Sequence, residues 1–203
     1  GQLLEQGPLE LERALELTFE TLWMAVIGTL LAIVLSVPLA FMAASNTTPH
    51  PTVYAAARGI ITFSRAVPDL VFALVFVRAL GIGVLPGIMA LALHSVGMIA
   101  KLLADAIEQA DKSPREAVRS VGAGPFQNII TSIVPQIIPA FISISLYRLD
   151  INLRSSTVLG LVGAGGVGLL LKKTLGQLDY SNALGVVAII FTYIYLMNKL
   201  DQT

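Results

Sequence analysis

From Leu17 to Ala44 the chain is a nearly unbroken apolar run. A hydrocarbon core about 30 Å thick takes roughly twenty residues of helix, rising about 1.5 Å each, to cross. The run is therefore long enough to be a membrane span. Composition extends the argument to the whole length: of 203 residues, 55% are hydrophobic and 13% charged, about half the charged share of a soluble domain. The expected fold class is all-α, a polytopic membrane protein.

The charges that remain exclude several functions. Thirteen basic and thirteen acidic residues cancel, which leaves no general cationic surface for a nucleic-acid backbone. Nucleic acid is not expected as a partner. The lack of cysteine excludes disulfides, thiolate metal sites and cysteine nucleophiles. The two histidines, His50 and His94, are far apart in sequence, so no metal site is expected. Residues 1–16 carry Glu5, Glu10, Glu12 and Glu16 against one Arg13, and lack the cationic start and short apolar core of a signal peptide. They are expected to form an extracytoplasmic segment ahead of a membrane domain over residues 17–203.

Pro38 is expected to kink the first span near its end, and Asn46-Thr47-Thr48-Pro49-His50-Pro51 to stop it. A second span fits Tyr54 to Leu80 and a third Leu85 to Ala104, separated by Gly81, Gly83 and Pro86. The polar stretch from Asp105 to Gln127 belongs outside the hydrocarbon. A fourth span fits Ile137 to Leu159, followed by a glycine-rich bend from Gly160 to Gly168 and a short interfacial helix from Leu169 to Leu178. Ala183 to Met197 is just long enough to make a fifth crossing. Basic residues in short loops stay on the cytoplasmic side, so Lys112, Arg115 and Arg119 place residues 105–127 inside. Alternation then puts the N-terminus outside, and leaves Lys172 and Lys173 outside, against the rule.

Ser113-Pro114-Arg115-Glu116 reads as a helix start, with Ser113 as N-cap, Pro114 at the first position and Glu116 returning a bond to the cap. Gly122, which readily takes the left-handed conformation, is expected to end the helix after Val121, with Gly124 and Pro125 close behind. Within these two turns Ala117, Val118 and Val121 share one face, and Arg115 and Arg119 another. A helix this short is marginal in water by itself and needs something to pack on. Lipid headgroups and a groove on a cytoplasmic partner both remain open.

Glu116-Ala117-Val118, then Gly122, then Val134-Pro135 resembles the EAA signature of ABC importer permeases, which surrounds their coupling helix. Val118 stands for the usual third Ala, Ser132 for Ile and Val134 for Leu. A broader resemblance, from about Glu20 onward, is to the phosphonate and phosphite permease family. It is carried by Arg65-Ala66-Val67-Pro68-Asp69-Leu70, Ala90-Leu91-Ala92-Leu93-His94, Tyr147-Arg148-Leu149-Asp150-Ile151-Asn152-Leu153-Arg154 and the run from Thr157 to Gly168. The resemblance implies a type I ABC importer permease fold. It also implies a homodimer in the bacterial inner membrane, two cytoplasmic ATPase subunits and an external substrate-binding protein. These residues contain no G-x-x-x-x-G-K-[ST] phosphate loop, so ATP and Mg are expected on the ATPase partner, with no cofactor in this chain. Ser113 to Arg119 and Gly122 are the expected coupling residues.

Arg148, Asp150 and Arg154 interrupt the fourth span. Each central charge facing lipid costs roughly 2.5 to 3.5 kcal/mol, so the three cannot all do so unpaired. Asp150 and Arg154 are spaced to pair, as are Arg65 and Asp69 around Pro68, while Arg148 shares a face with Asn152 and Ser155. Two roles stand side by side for these residues, with Ser156 and His94: ties that hold the bundle together, or the lining of a path that lowers the barrier for a small oxyanion. Gly163-x-Gly165-x-x-Gly168 matches the dinucleotide fingerprint by letter, but it follows a membrane span and not a strand. With Gly166 it is expected to serve as a bend or gate, where missing Cβ atoms permit close packing. The function expected is translocation of phosphonate, phosphite or a related oxyanion, without covalent chemistry. The alternatives are an importer permease for another solute such as methionine, and an ATP-independent transporter or channel.

Overall fold

The computed structural model describes residues 7–176 and 180–201, and these are helical apart from short connections. In chain order the helices are α1 (Gly7–Ala43), α2 (Pro51–Ala66), α3 (Asp69–Leu80), α4 (Val84–Gln109), α5 (Lys112–Ser120) and α6 (Pro125–Asn128). A π-helical turn (Ile129–Ile133) follows, then α7 (Val134–Leu161), α8 (Gly166–Gly176) and α9 (Tyr180–Asp201). Among the described residues, three stretches are long and apolar enough to cross a membrane: Leu15–Ala43, Val84–Gln109 and one within Pro125–Gly176.

The expected second span is not one helix. It breaks at Val67-Pro68 into α2 and α3. Pro68 has no N–H to continue the ladder and disfavours helical geometry at Val67, which is extended at φ −94° and ψ 122°. With 16 and 12 residues, neither piece alone spans about 30 Å at 1.5 Å per residue. The third span runs further than expected, to Gln109, so Asp105 and Glu108 are helical.

The chain forms two compact units. One comprises Gly1–Leu30, Pro68–Leu93 and Leu149–Thr203, the other Leu31–Val67 and His94–Arg148. The second unit has a core of Ala40, Ala43 and Ala44 from α1, Ala57 and Ile61 from α2, Ala100, Leu103, Ala104 and Ile107 from α4, and Ile133 and Ile137 around the start of α7. The α4 residues recur at i, i+3, i+4 and i+7, one helical face, and the alanines let backbones approach. Gly97 belongs to the same packing: a Cβ there would lie 2.8 Å from Ser64 Cβ and 3.0 Å from Ile61 O.

In the first unit the glycine-rich segment is packed closely. A Cβ on Gly160 would stand 2.6 Å from Gly165 O and 2.7 Å from Gly168 Cα. α7 ends in a Schellman motif: Gly163, at φ 102°, donates to Gly160 O at 3.0 Å, and Ala164 N donates to Leu159 O at 3.2 Å. Gly163 O in turn accepts from Gly83 N at 3.1 Å.

Candidate functional site

The short helix α5 has no buried residue. Its cap differs from the expected one: Asp111, not Ser113, is the N-cap, and its Oδ1 accepts from Ser113 N at 3.0 Å and Ser113 Oγ at 3.2 Å. Asp111 is an equally good N-cap residue, and starting two residues earlier places Pro114 third in the helix. Those hydrogen bonds from the Ser113 backbone and side chain hold the Asp111 carboxyl below its ordinary range.

The helix end is as expected. Gly122 has φ 88°, its N–H donates to Arg119 O at 3.0 Å, and Ala123 N reaches Val118 O at 3.4 Å, a second Schellman motif. Glu116, Ala117 and Arg119 are exposed, and Arg115 and Val118 half-buried. On either side of the Gly122 turn, Val121 is 82% and Phe126 76% exposed, an apolar pair that this chain leaves open.

Side chains outside the signature tie this element to its unit. Arg115 Nη2 donates to Asn46 O at 2.7 Å, and Asn46 Nδ2 donates to Ile107 O at 2.7 Å. Gln136 on α7 grips the α5 cap from both sides: its Oε1 accepts from Asp111 N at 2.8 Å and its Nε2 donates to Asp111 O at 3.3 Å. Ser132, the polar departure from the signature, is buried in the π turn, where its Oγ donates to Asn128 O at 2.6 Å and its carbonyl accepts from Gln136 Nε2 at 2.6 Å. Sequence reasoning missed Asn46, Asp111 and Gln136. Only Asp111 had a local signal, as a capping residue directly before the helix.

The intramembrane charges divide among different tasks. Arg148 is 4% exposed, and its Nε donates to Ser95 Oγ at 2.8 Å, beside a small recess lined by Met98, Ile99, Leu102, Ile144 and Tyr147. Asp150 and Arg154 pair as expected, with Arg154 exposed. Asn152 is fully buried and donates to Thr29 Oγ1 at 2.9 Å. Ser156 is also buried, with its hydroxyl on Leu153 O at 2.9 Å, and Ser155 is half-buried. The helical spacing expected for Arg65 and Asp69 does not exist, because the break at Val67-Pro68 lies between them. Arg65 is exposed in the last turn of α2, while Asp69 Oδ1 accepts from Leu70 N at 2.9 Å in the first turn of α3.

His94 has a defined structural task. Its Nδ1 lies 3.2 Å from Ser64 O and 3.0 Å from Val67 O, so Nδ1 carries the hydrogen and donates. The helical partner of Ser64 O would be the N–H of residue 68, which proline lacks, and the imidazole replaces it. His50 serves the other end of α2, where its Nδ1 accepts from Thr52 N at 3.2 Å.

The glycine segment begins α8 at Gly166 rather than at Leu169. Gly165 and Gly166 have φ 83° and 69°. The buried amides that open the new helix are met by α1: Glu20 Oε1 accepts from Gly166 N at 3.0 Å and Thr21 Oγ1 from Val167 N at 2.9 Å. Gly168 stacks on Gly160.

This all-helical arrangement is the type I ABC importer permease fold. It matches a chain of the structure described as "Inward facing conformations of the MetNI methionine ABC transporter", with a TM-score of 0.78, 20% identity, and coverage of 96% of this chain and 95% of that one. Residues 36–200 match the family described as "Binding-protein-dependent transport system inner membrane component", and the chain belongs to that family. It is 60% identical over 184 residues to the phosphate-import permease protein PhnE of Mycolicibacterium smegmatis, covering 91% of this chain and 35% of that protein. It is 43% identical over 179 residues to the phosphite transport system permease protein PtxC of Stutzerimonas stutzeri, covering 88% of this chain and 65% of that one. The chain thus spans about a third of the first relative and under two thirds of the second.

Proposed function

We propose that the chain is the translocating part of an ATP-driven importer for phosphonate, phosphite or a related small oxyanion, acting as a homodimer in the bacterial inner membrane. The observation that carries the reading is α5: an exposed, doubly capped helix with an open apolar pair beside it, fastened by Arg115 and Gln136 to the α1–α2 turn and to α7. Such a helix needs a surface to cover it, and two cytoplasmic ATPase subunits supply it. Those subunits hold ATP and Mg, an external binding protein delivers the solute, and this chain performs no covalent chemistry. Closure of the ATPase pair moves α5, and the path switches between inward- and outward-facing states by alternating access.

The anion class rests on the likeness to phosphate and phosphite permeases, which favours it over an amino acid cargo. Arg148, buried in α7, places positive charge in an apolar helix, where it lowers the barrier to an anion. Copurification from native membranes tests the proposal. An ATPase subunit is expected with the chain, and reconstituted complex should take up labelled phosphite or phosphonate only with ATP. Uptake by vesicles holding this chain alone, without ATP, would make it a channel or secondary transporter instead.

A further inference from the structure

Arg58, which no motif singles out, lies midway along α2 and is the centre of a cluster with the ends of α1 and α4. Its Nε donates to Ala43 O at 2.8 Å, a carbonyl in the last turn of α1 with no helical partner of its own. Its Nη2 donates to Glu108 Oε1 at 2.9 Å, and Nη1 lies 3.9 Å from Asp105 Oδ1, which also pairs with Lys101. The guanidinium sits 5.2 Å from the centre of the Tyr54 ring. Glu108 Oε1 accepts a second bond, from Ser45 N at 2.8 Å. The next residue, Asn46, is held by Arg115 of α5 on its carbonyl and donates its amide to Ile107 O.

The cluster therefore has a direction. α5 grips the α1–α2 turn at Asn46, Glu108 grips the same turn at Ser45, and Arg58 locks Glu108 to the end of α1. We infer that Arg58 and Glu108 are positioning residues for coupling, forming a rigid strut that makes the α1–α2 turn and the end of α4 travel with α5. This deepens the proposed function and rests on it. A planar guanidinium fits the role, since it meets a carbonyl, a carboxylate and an aromatic face at once.

The test uses the whole complex in proteoliposomes, comparing wild type with Arg58→Gln, Glu108→Gln and Arg58→Lys. The readout is solute moved per ATP hydrolysed. Both Gln variants should assemble and keep basal ATP hydrolysis, while the ratio falls about fivefold, the scale of a partly exposed pair. Arg58→Lys, which keeps the charge but loses the planar fork, should restore only part of it. An unchanged ratio in both Gln variants beside an active wild type overturns the strut alone. A wild type without ligand-stimulated ATP hydrolysis overturns the underlying reading as well.

A second measurement leaves the cluster intact. The chain has no cysteine, so spin labels can be placed at exposed Pro49 and Lys112. Their separation should be the same without nucleotide and with a non-hydrolysable ATP analogue. A change approaching one helical turn, about 5.4 Å, would overturn the strut even if the Gln variants fail to assemble.

Discussion

Replacing Val121 and Phe126 by serine addresses the contact on which the proposed function depends. The two side chains are 82% and 76% exposed, so this chain draws little stability from them. Complete burial of a side chain of this kind is worth about 2 kcal/mol, and covering the open fraction therefore contributes roughly 1.5 kcal/mol for each. That corresponds to about a tenfold change in a dissociation constant for each single variant. Acting independently, the two losses multiply to about a hundredfold in the double variant. The assay is retention of the ATPase subunit on affinity-purified complex in detergent over a dilution series. Detergent removes the bilayer, so a helix that only rested on headgroups would lose nothing. Thermal unfolding of the singly expressed chain should move little, as expected for surface changes within about 0.5 kcal/mol. Full retention of the ATPase by the double variant would refute the reasoning, because the most exposed apolar pair beside α5 would then touch no partner.

Gly122→Val forces a β-branched residue to φ 88°, costing about 1 to 2 kcal/mol, and should reduce uptake while ATP hydrolysis persists; normal uptake would contradict it. Arg148→Gln should lower anion uptake with assembly and basal ATP hydrolysis intact, and a complex that falls apart would make Arg148 a structural tie instead. Gly160→Ala places a Cβ against the backbone of Gly165 and Gly168, so overpacking should cost about 1 to 3 kcal/mol, read as a lower unfolding midpoint. The Asp111 carboxyl is held below its ordinary range, so its cap stabilises α5 above the ordinary aspartate pKa and is lost as pH falls through the lowered value. Amide exchange at Ser113, corrected for intrinsic rates, should lose protection over that acidic window in wild type and lack the transition in Asp111→Ala.

What was legible in the sequence is what local chemistry dictates. The span in α1 followed from the length of its apolar run, and the end of α5 from Gly122, because a left-handed residue closing a helix is a property of one position. Gly163 does the same for α7, and the Asp150–Arg154 pair was readable from spacing within an unbroken helix. The same rule failed at Arg65 and Asp69, since i, i+4 spacing means proximity only where the helix continues, and Pro68 stops it. Cap position also misled: Asp111 and Ser113 are both capping residues two positions apart, and Gln136, which holds the Asp111 backbone, lies 25 residues away.

The polar groups least readable from sequence are those that repair broken backbone ladders. Pro68 leaves Ser64 O without its helical donor, and the repair is His94 from another helix. The end of α1 leaves Ala43 O open, and the repair is Arg58. The amides opening α8 are met by Glu20 and Thr21 from α1. In an apolar environment an unmet carbonyl or amide costs several kcal/mol, so each helix break in a membrane chain demands a polar residue somewhere else in sequence. His94 and Arg58 are repairs of this kind, and Arg148, whose Nε donates to the Ser95 hydroxyl, is the buried charge whose substitution best separates transport from architecture.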